Sequence, residues 1–282
     1  MVELPEPPRV FAPLFRLERS RLLEMLESLE ASDWSRPTPC PGWSVLGLGC
    51  HLVGGDLSFL AWQRDDHRGT PAPDGLDERG FTRWLDELQM EWVHAARRLS
   101  PRLVVELLGS LGDQVADTVA MQDPSLVAAH VSWASAVPVR AWLDHARELS
   151  ERWIHRQQIL QSLGRPGDLR PDVAVPVLDG LRWAYPYRLG PVRRAEGTSV
   201  AITVPGPEVT LRWNLVSDGE IWQFRPTVHG PFAAELWLTT DQAWRLLTNN
   251  FDSDRHGELV SSGDEEIVGT LLRTRAIIGT PE

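Results

Sequence analysis

Eight histidines occur in the chain, at positions 51, 67, 94, 130, 145, 155, 229 and 256, and two of them stand where an imidazole can do more than fill space. His155 follows Glu151 by four residues in a stretch patterned as a helix, and residues i and i+4 share one helix face. A carboxylate and an imidazole so placed can grip one metal ion together. His51 sits in an apolar, glycine-rich stretch, flanked by Cys50, Leu52 and Val53. An unpaired polar group in such a setting costs about 1–3 kcal/mol, so His51 requires a partner. Two histidines and one carboxylate from two helices of a bundle form a known kind of interior metal site, suited to zinc, nickel or iron. Three protein ligands leave a coordination position open, which separates catalytic from structural sites.

Spacing alone leaves other ligand sets in play. His145 and Glu148 are three residues apart on the same helix, and Glu148 and His155 lie seven apart on one stripe. Cys50 adjoins His51 and so points about 100° away from it, as a core residue would. Cys40 lies in a proline-rich loop as a candidate reactive thiol, with no activating group beside it in sequence. Each of these side chains also has an ordinary reading, as a satisfied core group or a solvated ion pair.

The elements that must position these residues are helical in the first half. Apolar residues at Leu14, Leu17, Leu22, Met25, Leu26 and Leu29 follow a 3.6-residue period and predict a first helix over 14–29. Pro37, Pro39, Pro41 and Gly42 forbid helix in the loop that follows. Ser44 is a natural N-cap for a second helix from Val45 to about Asp66. Four glycines in that helix, 47, 49, 54 and 55, predict close packing against neighbouring helices. A third helix is expected from Asp77 to Leu99, helical character from Pro101 to Met121, and a further long helix from Pro138 to Leu163, closed by Gly164. Beyond Gly164–Pro171, the best linker, the pattern changes. Residues 173–188 read as helix, 200–204, 208–216, 220–225 and 233–239 as strands, and 241–249 and 264–278 as helices, with Ser217-Asp218-Gly219 as a hairpin turn. The expectation is an all-α domain over residues 1–165 followed by a smaller α+β domain over 172–282.

Composition narrows the function. A formal net charge of −11 argues against a protein that grips nucleic-acid backbones. All 28 cationic side chains are arginine, which removes any mechanism needing a lysine ammonium, such as a Schiff base or a P-loop. Two cysteines make no disulfide framework, residues 1–20 lack the apolar core of a signal peptide, and no run of eighteen apolar residues suggests a membrane span. A soluble, cytoplasmic protein is expected, with neither nucleic acid nor membrane as partner. The thirteen tryptophans fall mostly on apolar helix faces or in strands, as core bulk.

Two motifs carry a family resemblance. The stretch Trp34-Ser-Arg-Pro-Thr-Pro-Cys-Pro-Gly-Trp43-Ser-Val-Leu-Gly-Leu-Gly-Cys-His51-Leu, together with Arg147, Glu151, Trp153, Ile154 and His155, resembles the mycothiol-dependent maleylpyruvate isomerase family. That family belongs to the DinB-like four-helix bundles. Residues 243–248 and Gly263-Asp264 resemble its sterol-carrier-like C-terminal domain, so the likeness spans nearly the whole chain. It implies a metal held by His51, Glu151 and His155, rather than by His145 and Glu148. It also implies mycothiol as a low-molecular-weight thiol cofactor and a small electrophile as substrate, in a transferase or isomerase reaction. The metal expected is zinc, with nickel or iron as alternatives. Many members carry an Asp three residues beyond the second histidine, where this chain has Gln158, one negative charge fewer beside the metal helix. Arg147 and Arg156 are candidates to bind a carboxylate, or to pair with Glu148, Glu151 or Glu18. Trp43, Trp62 and Trp153 are candidate cavity walls. The competing function is a non-catalytic metal- or apolar-ligand-binding protein on the same scaffold, since a fold hosts many functions. An oligomer is compatible with the sequence.

Overall fold

The structure, a computed structural model, describes residues 11–128 and 131–276. It divides into two compact units, one holding residues 11–128 and 140–168, the other residues 131–139 and 169–276.

The first unit is helical: α1 (Ala12–Glu27), α2 (Val45–Gln63), α3 (Glu78–Ala95), α4 (Pro101–Met121) and α5 (Ala141–Ser162). Helices α1, α2, α4 and α5 form the bundle, with α1 against α4 and α5, and α2 against α4 and α5; α3 packs on α2. Starts follow local chemistry. The Ser44 hydroxyl accepts from the Gly47 N–H at 3.2 Å, the Asp77 carboxylate from Gly80 N–H at 2.7 Å, and the Ser100 hydroxyl from Leu103 N–H at 3.3 Å. By length and composition α2 is apolar enough to cross a membrane, against the sequence expectation, but most of it is buried within this unit. It is the bundle's central helix, which explains its lack of a polar face.

The glycines of α2 are there for packing at two positions and not at a third. A Cβ on Gly49 would sit 2.9 Å from Val104 of α4. One on Gly54 would sit 2.3 Å from Nε1 of Trp92, whose indole donates to the Cys50 carbonyl at 2.7 Å. Gly55 faces open space. Gly54→Ala is therefore expected to destabilise by about 1–3 kcal/mol, because the indole must leave its acceptor. Gly55→Ala should stabilise by up to about 1 kcal/mol through helix propensity alone. Paired urea unfolding curves check both, and equal midpoints for the two variants would refute this packing account.

The second unit carries α6 (Pro171–Leu181), α7 (Ala184–Leu189), α8 (Thr240–Leu247), α9 (Glu265–Arg273) and one five-stranded sheet. The strands are β1 (Ser199–Val204), β2 (Leu211–Ser217), β3 (Trp222–Arg225), β4 (Ala234–Trp237) and β5 (Val260–Gly263), in the order β3-β2-β1-β4-β5. β1 pairs in parallel with β4, with Ile202 opposite Leu236; the other pairings are antiparallel. The β2–β3 hairpin turns at Gly219, with φ at +96°, while Asp218 accepts from the N–H groups of Glu220 and Ile221.

Four expectations need correction. The last bundle helix starts at Ala141, not Pro138, because Arg140 is extended and bridges Val127, and the Ala141 N–H donates to Leu126 at 2.8 Å. Residues 173–188 form two helices, with the break at Arg182-Trp183. β5 was not expected, since Val260-Ser-Ser-Gly263 has no apolar alternation; it pairs only at the sheet edge. The final helix stops at Arg273, and residues 277 and 278 of the expected span, like His130 and residues 1–10, lie outside the described residues.

Candidate functional site

The candidate site forms where α2 faces α5. His51 is buried on the second turn of α2, which starts from a hydrogen-bonded loop. In that loop the Thr38 hydroxyl donates to the Trp43 carbonyl at 2.9 Å, and Pro37 bridges Ser44. Trp43 then lays its ring on the His51 imidazole, centroids 4.7 Å apart. On α5, Glu151 and His155 project one turn apart, as their spacing requires. Glu151 Oε1 lies 3.0 Å from His51 Nε2 and 2.9 Å from His155 Nε2, and the three ligating atoms all fall within 4.8 Å of one another. The two imidazoles meet edge-on. Glu151 is half-buried, so the cluster opens to solvent on its carboxylate side.

The outer nitrogens are also engaged. Gln89 Oε1, from α3, lies 3.1 Å from His51 Nδ1, and Gln158 Oε1 lies 2.7 Å from His155 Nδ1. The Cys40 thiol donates to the same Gln158 oxygen at 3.2 Å. Burial pushes the His51 imidazole below its ordinary range, outweighing the pull of Glu151, which favours its neutral form. Burial also works against charge on His155, but the Glu151 carboxylate and Cys40 raise it to about 10. Burial alone would raise the Glu151 carboxyl, yet the two histidines hold it well below the usual carboxylate range. A neutral imidazole has one N–H, while both nitrogens of His51 face oxygen atoms. One of those contacts therefore lacks a proton, and a cation beside Nε2 removes that conflict. The donor set, two imidazoles and one carboxylate, fits a divalent metal.

The competing ligand set is not brought together. His145 Nε2 lies 2.6 Å from Gln122 Oε1, while Glu148 is held by Arg147 and by Arg152 at 2.6 Å. The candidate anion-binding arginines are both engaged. Arg147 pairs with Asp144 at 2.8 Å and with Glu148, and Arg156 is buried between Glu18 at 2.8 Å and Asp168 at 2.9 Å. Of the three candidate wall tryptophans, Trp43 touches the cluster; Trp153 is fully buried, and Trp62 stacks under Arg68. Sequence reasoning missed Gln89 and Asp56. Asp56 is buried on α2 and pairs with Arg19 of α1 and with Arg152 of α5 at 2.8 Å. The signal for it was a lone carboxylate in an apolar helix, which demands a cation. Nothing in its spacing marked Gln89.

A helical bundle with an inward-facing His–Glu–His cluster, followed by a small mixed sheet, defines the class. The family model described as the mycothiol maleylpyruvate isomerase N-terminal domain matches residues 15–160, just over half of the chain. The chain belongs to this family. Two similar solved structures are those of the mycothiol-dependent maleylpyruvate isomerase and of a histidine-to-alanine mutant of it. Each is 14% identical over 89% of this chain and 91% of the other, with a TM-score of 0.53, a likeness of fold. No curated protein matches the sequence.

Proposed function

We propose that the chain is a divalent-metal-dependent enzyme that uses mycothiol as its nucleophile on a small electrophile, in a transfer or isomerisation reaction. The observation that carries this reading is the convergence of His51 Nε2, Glu151 Oε1 and His155 Nε2, within 4.8 Å of one another, from two helices that otherwise pack as core. These three residues would hold the metal, zinc by donor type, with nickel or iron as alternatives. When bound, such a cation supplies an open position where a thiol loses its proton and becomes a strong nucleophile. The protein's own part is to hold the donors. α2 and α5 fix them against each other, Trp43 shields one face of His51, and the half-buried Glu151 marks the side on which small molecules enter.

Family membership and the similar fold support the thiol and a small-molecule substrate. In the same reading residues 1–165 form the metal-binding domain and residues 172–282 a sterol-carrier-like partner domain, in a cytoplasmic protein. Gln158 in place of a common aspartate makes the electrophile the open variable. The test is turnover of a panel of electrophiles (activated alkenes such as maleylpyruvate, epoxides, quinones) with and without mycothiol. Turnover that requires both the thiol and the metal is expected. Stoichiometric metal with no thiol-dependent turnover of any of them would favour the non-catalytic binding protein instead.

A further inference from the structure

The cluster is held by two residues outside it that are matched in chemistry and come from different helices. Gln89 on α3 presents Oε1 to His51 Nδ1 at 3.1 Å, and Gln158 on α5 presents Oε1 to His155 Nδ1 at 2.7 Å. Only an N–H can satisfy an amide oxygen there, so each contact holds a proton on Nδ1 and leaves Nε2 as the nitrogen free to give its lone pair to a metal that displaces any proton there. Both Nε2 atoms then aim at the same point beside Glu151 Oε1. The orientation of the Gln158 amide is fixed twice, because its oxygen also accepts from the Cys40 thiol. The orientation of α3 is fixed as well. Trp92, three residues beyond Gln89 on α3, donates to the Cys50 carbonyl at 2.7 Å, one residue from His51. Thus α3, which contributes no member of the cluster, is clamped to α2 where the first histidine needs support.

Both acceptors are neutral. Metal-bound histidines are commonly backed by a carboxylate, which makes the ligand more basic and adds negative charge around the ion. Here Glu151 is the lone carboxylate of the cluster, and the neighbouring Glu148 is neutralised by Arg147 and Arg152. A divalent ion held by two neutral imidazoles and one carboxylate keeps about one surplus positive charge. A surplus of that kind favours an anionic ligand, and the amides leave it intact.

We propose that Gln89 and Gln158 are positioning residues that set both histidines for metal binding, and that their neutrality tunes the site toward an anionic sulfur ligand. This rests on the metal reading above, and the experiment separates the two. The full chain is loaded with zinc or cobalt(II). Affinity is read by competition with a chromophoric chelator, and the cobalt d–d spectrum reports ligand geometry. N-acetylcysteine serves as the thiol probe, read from the sulfur-to-cobalt charge-transfer band. Gln89→Leu and Gln158→Leu should each lower zinc affinity roughly 10–100-fold and alter the d–d spectrum. Gln89→Glu and Gln158→Glu keep an acceptor, so they should bind zinc at least as tightly as wild type. They should also weaken the thiol probe about tenfold, because a carboxylate cancels the surplus charge.

Wild-type binding with unchanged affinity and spectrum in folded leucine variants would overturn the positioning role and leave the metal reading standing. Glutamate variants that bind the thiol probe as tightly as wild type would overturn the charge argument, and if a leucine variant does not fold, glutamate variants that bind zinc more weakly than wild type would overturn the positioning role. Wild-type protein that takes up neither zinc nor cobalt would overturn both this inference and the metal reading beneath it.

Discussion

Glu151→Ala is expected to leave the purified protein nearly free of metal, while His145→Ala retains it at wild-type stoichiometry. The contrast follows from where the two side chains lie on α5. Glu151 contributes the one formal negative charge of the cluster and stands within 3.0 Å of both imidazole Nε2 atoms. Without it, two neutral histidines remain, and a two-ligand site does not compete with chelators or dialysis. Losing one of three ligands should lower affinity by on the order of 10²–10³-fold, a fair share of what a complete protein zinc site gains. His145 sits six residues earlier on the same helix and is satisfied by Gln122 at 2.6 Å. Its truncation costs packing against Phe11, not a ligand. The measurement is elemental mass spectrometry of untagged protein purified without added metal, with His51→Ala as a second ligand variant. Equal metal in Glu151→Ala and wild type, or equal loss in Glu151→Ala and His145→Ala, would sink the ligand assignment.

The readings that the residues alone supported rest on strong local rules. Ser44 caps α2 because its hydroxyl can reach the Gly47 N–H and the proline loop before it cannot be helix. Glu151 and His155 share a face because four residues make just over one turn. What spacing could not supply was the choice between His145 with Glu148 and His51 with Glu151 and His155. That choice depends on which face of α5 meets α2, a tertiary fact that short-range patterns do not encode. The family resemblance proposed one answer, and the packing of α2 on α5 brings those same atoms together. Gln89 was illegible for a similar reason. An amide on an amphipathic helix looks solvated until α3 is seen lying along α2. Pro138 misled because it suits a first turn, whereas the pairing of Arg140 with Val127 delays the helix by three residues. β5 was hidden because an edge strand needs little apolar alternation to pair on one side.

The largest loss of stability is expected from Asp56→Ala, a residue with no part in the cluster. Asp56 is only 1% exposed and binds two arginines from different helices, Arg19 of α1 and Arg152 of α5. Taking one partner from a buried ion pair leaves an uncompensated charge inside, a change that costs about 3–5 kcal/mol. Here two guanidiniums lose their carboxylate at once. Arg152 keeps its ion pair with Glu148, whereas Arg19 keeps only the electrostatic pull of Glu18. In a unit of this size such a loss lowers the melting temperature by roughly 10 °C. The exposed pair of Arg16 with Asp113, at 3.0 Å, supplies the control. Its side chains are solvated, so Asp113→Ala should change stability by no more than about 1 kcal/mol. The buried network also bears on the site, because Arg152 is the residue after Glu151 and its pairing with Asp56 fixes the register of α5 against α2. Asp56→Ala should therefore weaken metal binding as well, by less than Glu151→Ala and without changing any ligand. Asp56→Asn retains a hydrogen-bond acceptor without the charge and should fall between wild type and alanine. Thermal and urea unfolding of the three variants, with and without added zinc, resolves the two effects. An Asp56→Ala protein that melts like Asp113→Ala would show that the buried arginines do not depend on this carboxylate, and that α5 keeps its register against α2 without this ion pair.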